Sequence, residues 1–163
     1  MGRLCGMGVS VGIASRLCET KKTRTLIVWI RHTIAQMDAP GIVRRILVVD
    51  DEEAVRSVLV RALGLWGYAV ESVENGEQAL RLIGADPAAY AGVLLDLTMP
   101  GMSGDQVFRG IAERAPALPV VLMSGYGSSE AESRLDGARP AGFLQKPFDL
   151  GVLKAAVAEM IAG

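Results

Sequence analysis

From residue 44 onward the chain alternates short apolar runs with longer segments in which apolar residues recur every three or four positions. RILVV (45–49), GVLLD (92–96) and VVLMS (120–124) are nearly continuous apolar runs, the mark of strands buried on both faces of a parallel sheet. AVESV (69–73) alternates with polar residues and predicts a more exposed, edge-like strand. AGFLQ (141–145) predicts the last one. Between the first two runs, Val55, Val58, Leu59, Ala62, Leu63 and Trp66 fall at i, i+3, i+4 spacing and predict a helix packed through that stripe, with Gly67 suited to its C-cap. Asn75-Gly76 turns into a second helix with Ala79, Leu80 and Ile83 inward. A third is predicted over roughly 104–115 through Val107, Phe108 and Ile111, a short fourth in GYGSSEAESRLDG, and a closing one through Leu150, Leu153, Val157 and Ile161.

Strands separated by single helices form right-handed crossovers and a parallel sheet covered on both faces. The pattern therefore predicts an α/β fold of five βα units, a doubly wound three-layer sandwich. Periodicity alone leaves the strand order open.

Composition divides the chain in two. At 163 residues, half apolar and about a fifth charged, it is long enough for one domain with an extension. Net charge is −1, but residues 1–41 carry six Lys/Arg against Glu19 and Asp38, while the remainder is acidic. Pro40-Gly41 marks a linker, so we expect a poorly ordered extension over 1–41 and a folded domain over 42–163. Met37 is an alternative start for the natural protein. Cys5 and Cys18 form no CxxC pair and read as reduced thiols of a cytoplasmic protein. TLIVWI (25–30) is far shorter than the roughly 18–20 residues a membrane span needs, so no membrane partner is expected. The basic leader lacks a helix-turn-helix or aromatic-basic interleaving, which argues against nucleic acid. His32 has none of the acidic and Pro-containing surroundings of a phosphodonor and reads as incidental.

The chemistry lies where the runs end. Asp50 and Asp51 follow the first, Asp96 ends the third, Ser124 the fourth, and Lys146 follows the fifth. In a parallel sheet ligands bind beyond the carboxyl ends of the strands, so these residues should converge. Three carboxylates at one edge repel each other unless a cation neutralises them, and hard oxygen ligands suit Mg²⁺. A carboxylate can also be a nucleophile that forms an acyl phosphate, and Asp96, on the central strand, is the candidate. Lys146 would supply a point charge to a phosphate oxygen and Ser124 a hydroxyl donor. Taken singly, each has a plainer reading: Glu52 and Glu53 complement a helix N-terminus, Ser124-Gly125 is a common turn, and Lys146 alone is a surface lysine.

Together, VVDDEE, LLDLTMPGMSG, VLMSGY and FLQKPF resemble the receiver domain of two-component response regulators, in the right order over about 44–162. The resemblance implies the flavodoxin-like strand order 2-1-3-4-5. It implies that Asp96 accepts phosphate from a phosphohistidine on a histidine kinase or phosphotransfer protein. Asp51 and Asp96 would ligate Mg²⁺ with the Thr98 backbone carbonyl, and Asp50 would act through a water. Ser124 and Lys146 would hold phosphoryl oxygens, Phe143 would rotate as Ser124 moves inward, and the bond before Pro147 would be cis. Catalysis is expected only on the domain itself, as self-phosphorylation and autodephosphorylation, and Gly125 beside Ser124 is expected to leave the phosphoryl group open to water. Only Gly163 follows the closing helix, so no output domain is expected; the downstream effector and a phosphorylation-dependent homodimer are left open. Three alternatives stand beside this: a detached C-terminal receiver of a hybrid histidine kinase, a scaffold that binds without phosphorylation, and a haloacid-dehalogenase-like phosphatase. The last needs an Asp two residues after its nucleophile, where this chain has Thr98.

Overall fold

The computed structural model describes residues 44–125, 135 and 139–162. The expected extension over 1–41 and, apart from Gly125 and Leu135, the short helix expected within 125–137 lie outside the described residues. The described residues form five strands: β1 (Arg45–Val49), β2 (Ala69–Val73), β3 (Tyr90–Asp96), β4 (Val120–Ser124) and β5 (Gly142–Gln145). Four described helices, α1 (Glu53–Leu65), α2 (Gly76–Ala85), α3 (Gly104–Arg114) and α4 (Leu150–Ala162), connect or follow them.

All strand pairs are parallel, in the order β2-β1-β3-β4-β5. This is the doubly wound α/β fold that the alternation predicts, and the strand order is the flavodoxin-like one. Alternate residues of a strand face opposite sides of the sheet, and the chain uses both sides. Leu47, Val49, Val93, Leu95 and Leu122 pack against Ala79 and Ile83 of α2 and Val107, Phe108 and Ile111 of α3. Ile46, Val48, Leu94, Val121 and Met123 pack against Leu59, Ala62 and Leu63 of α1 and Leu153, Val157 and Met160 of α4. The two cores force continuous apolar runs in β1, β3 and β4. The half-buried AVESV strand sits at the sheet edge, as its polar alternation predicts.

Local signals fix the helix ends. Asn75 caps α2 by accepting from the Gln78 N–H at 3.0 Å. Ser103 and Gln106 form a capping box at α3. Asp149 accepts from the Gly151 and Val152 N–H groups at 2.7 and 2.9 Å and starts α4. Gly67, just past Trp66 at the end of α1, has φ +89°, which a side chain would resist.

Several expectations need correction. Val58 was expected inward but is 57 % exposed, because the sheet covers Leu59, Ala62 and Leu63 and Val58 lies on the rim of that stripe. Leu150 is 53 % exposed: it is the first residue of α4, and the buried stripe begins a turn later at Leu153 and ends on Met160, with Ile161 only partly buried. β3 begins two residues earlier than the apolar run, since Tyr90 is buried and donates to Glu71 at 2.9 Å. β5 begins at Gly142 and α3 ends at Arg114. Among the described residues no helix is long and apolar enough to cross a membrane.

Candidate functional site

The register levels the carboxyl ends of four strands. Val49 pairs with Leu95, Asp96 with Met123, and Ser124 with Gln145. Backbone bonds extend the alignment past the strand ends: Leu97 N–H to Met123 at 2.9 Å and Lys146 N–H to Ser124 at 2.7 Å. Asp50, Asp51, Asp96, Ser124 and Lys146 are therefore presented at one edge of the sheet, as the sequence predicts. The peptide bond between Lys146 and Pro147 is cis.

The buried polar or charged side chains among the described residues are Asp50, Asp96 and Ser124, all three at this edge. A core otherwise free of polar side chains has its exceptions gathered in one place, the usual sign of a site. Asp50 is held at both oxygens: Oδ1 accepts from the Glu52 N–H at 2.9 Å, and Oδ2 accepts from Lys146 Nζ at 2.8 Å. Lys146 also stands 3.3 Å from Asp96 Oδ2 and so bridges the two buried carboxylates. Asp51 is exposed at the mouth. Asp96 Oδ1 is buried and has no hydrogen-bond partner.

Burial pushes the Asp96 carboxyl above its ordinary value of 3.8; the Lys146 charge pulls it down, Asp50 pushes it up, and a bond from the Thr98 N–H pulls it down. Burial alone would lower Lys146, but the hydrogen bond to Asp50 and the charges of Asp96 and Asp50 outweigh it and raise the ammonium above 10.5. The ammonium therefore stays charged at neutral pH, while Asp96 carries its charge at a cost.

One oxygen from each of Asp50, Asp51 and Asp96 lies within 4.8 Å of the others. Three hard oxygen donors suit a small divalent cation, and Asp96 has in Oδ1 a buried oxygen that no protein group satisfies. Thr98 is exposed, two residues past Asp96. Phe143 is half-buried on β5 and packs against the core face that holds Leu122. It pairs with Leu122, two residues before Ser124, so Phe143 and Ser124 lie on the same side of the sheet.

Two features escaped sequence reading. Arg56 Nη1 donates to the carbonyl oxygens of Asp50 and Asp51 at 2.7 and 2.8 Å. The only signal was an arginine one turn into the helix that follows the acidic pair. Gly104 lets the start of α3 press against the strand end: a Cβ there would collide with the Asp96 carbonyl oxygen and lie 2.5 Å from Leu97 Cα.

The model of the response regulator receiver domain family matches residues 46–158. The response regulator MprA of Mycolicibacterium vanbaalenii is 42% identical over 113 residues, covering 68% of this chain and 47% of that protein. The sensor kinase CckA of Brucella abortus is 34% identical over 116 residues, covering 71% of this chain and 12% of that protein. The chain thus spans less than half the length of these curated relatives. Among solved structures, the response regulator TrrA from Thermotoga maritima in complex with Mg²⁺ and BeF aligns with a TM-score of 0.62 at 32% identity, over 72% of this chain and 98% of that one.

Proposed function

Because the chain belongs to the response regulator receiver family of two-component systems, we propose that Asp96 is its phosphoacceptor, taking a phosphoryl group from a phosphohistidine of a histidine kinase or phosphotransfer protein. An Asp96 carboxylate oxygen attacks phosphorus, the P–N bond breaks with its electron pair passing to the imidazole, and an acyl phosphate forms on the protein. The observation that carries this reading is Asp96 Oδ1, a buried oxygen without a protein partner on the central strand, set among Asp50, Asp51 and Lys146.

Asp50, Asp51 and Asp96, with the Thr98 carbonyl, would hold Mg²⁺, with Asp50 acting through a water. Bound there, the ion supplies charge neutralisation for the phosphoryl oxygens. Lys146, already beside Asp96, would turn from the carboxylates to a phosphoryl oxygen, and Ser124 would donate to another. The move of Ser124 and rotation of the half-buried Phe143 would carry the change to a partner surface, a local charge event biasing two packings.

Catalysis in this reading is confined to the domain's own phosphorylation and dephosphorylation, in the cytoplasm. The likeness to a sensor kinase favours, as a variant, a receiver derived from a hybrid kinase. Family membership, with Thr98 where a second Asp would be needed, sets the dehalogenase-like phosphatase aside.

Fluorine NMR of the purified protein with beryllium fluoride, a phosphoryl mimic, tests the site. A bound resonance that requires Mg²⁺ and is absent in Asp96→Asn is expected. Its absence from folded wild type, with Mg²⁺ present, would favour the phosphorylation-independent scaffold.

A further inference from the structure

Arg56 stands one turn into α1, and its guanidinium reaches back over the loop that carries the acidic pair. A single nitrogen, Nη1, donates to two successive carbonyls, Asp50 at 2.7 Å and Asp51 at 2.8 Å. Hydrogen bonds from an ionised donor at such lengths are among the stronger ones a protein makes. The two side chains on those peptides are held very differently. Asp50 is buried and fixed at both carboxylate oxygens. Asp51 is exposed, so the orientation of its carboxylate depends on the peptide that carries it.

We infer that Arg56 is a positioning residue for the divalent-cation site: by clamping both carbonyls it fixes the backbone from which Asp50 and Asp51 present their oxygens. This rests on the Mg²⁺ reading above. Without the clamp, ion binding would also have to order the loop. The guanidinium's own charge acts in the opposite direction, repelling a cation, so the sign of the effect decides between preorganisation and repulsion. Removing a residue that orients metal ligands typically weakens binding by about 10–100-fold.

The test is calorimetric titration of the full chain with Mg²⁺, well below the melting temperature, for wild type, Arg56→Met and Arg56→Lys, with metal-free melting curves alongside. Arg56→Met should weaken Mg²⁺ binding by about tenfold. Arg56→Lys, which keeps the charge but lacks the planar fork, should fall between that and wild type. A lower melting temperature with unchanged affinity would mean that Arg56 only stabilises the fold and would overturn the inference. Tighter binding in Arg56→Met would overturn it in favour of repulsion. Should Arg56→Met fail to fold, Arg56→Lys decides alone, and wild-type affinity in it is the overturning result. Wild type that binds no Mg²⁺ defeats the site reading itself; wild type that binds, with Arg56→Met unaltered, defeats only the role of Arg56.

Discussion

Asp96→Asn should make the metal-free protein more stable, although it removes the residue on which the proposed function depends. Asp50 and Asp96 are both almost fully buried, and Lys146 stands 2.8 Å from one and 3.3 Å from the other. One ammonium between two buried carboxylates leaves a negative charge uncompensated in the pocket, and Asp96 Oδ1 has no partner at all. Leaving a buried acceptor unsatisfied costs about 1–3 kcal/mol, more when it is charged. An asparagine retains a carbonyl oxygen for Lys146, and Lys146 retains its shorter bond to Asp50, so only part of the 3.3 Å ion pair is lost. We expect a net gain of about 1 kcal/mol, or roughly 4 °C for a domain of this size. The sign of the pH dependence follows from the raised Asp96 carboxyl. A group that holds its proton more tightly when folded contributes full stability below its unfolded value, here 3.8, and loses it as pH rises through the folded value. The gap between variant and wild type should therefore be widest at neutral pH and close as pH falls toward 3.8. The assay is thermal melting of both proteins in a chelator across pH, then with excess Mg²⁺. At ten times its Kd the ion adds about 1.4 kcal/mol to wild type and less to the variant, which narrows or reverses the order. An Asp96→Asn protein that melts below wild type in chelator at neutral pH would refute the reasoning.

Two glycines should respond differently to the same added methyl. Gly104→Ala meets backbone, the Asp96 carbonyl and Leu97 Cα, and should cost about 2–3 kcal/mol in urea unfolding and weaken Mg²⁺ binding. Gly92→Ala meets first the adaptable Met160 side chain, at 2.6 Å, and should cost less than about 1 kcal/mol. At Gly125 a Cβ would meet nothing within 4 Å, so Gly125→Val should fold normally. By shielding the phosphoryl group it should slow its loss up to about tenfold, some 1.4 kcal/mol of barrier, in a decay assay on the phosphorylated protein.

How much of this was legible in the sequence depended on how local the controlling physics is. RILVV and VVLMS declare buried strands because both faces of a central strand must be apolar, and their boundaries match the observed strands. AVESV declares an edge for the converse reason. Val58 and Leu150 misled because helical periodicity marks a face but not how far the neighbouring layer extends over it; both lie at the rim. Tyr90 was missed as strand because its partner, Glu71, is nineteen positions away and invisible to any window. The convergence of Asp50, Asp96, Ser124 and Lys146 could be read from the rule that parallel strands present their carboxyl ends together. Arg56 could not, since it works through backbone carbonyls, which carry no residue identity.

The measurement that bears most directly on the central claim is labelling of the purified protein with acetyl phosphate, followed by intact mass, with and without Mg²⁺, in wild type and Asp96→Asn. Mass added only when both Mg²⁺ and Asp96 are present is the predicted result. Labelling that persists in Asp96→Asn would assign the chemistry to another carboxylate, and a folded wild type that takes up no label with Mg²⁺ would contradict the account outright.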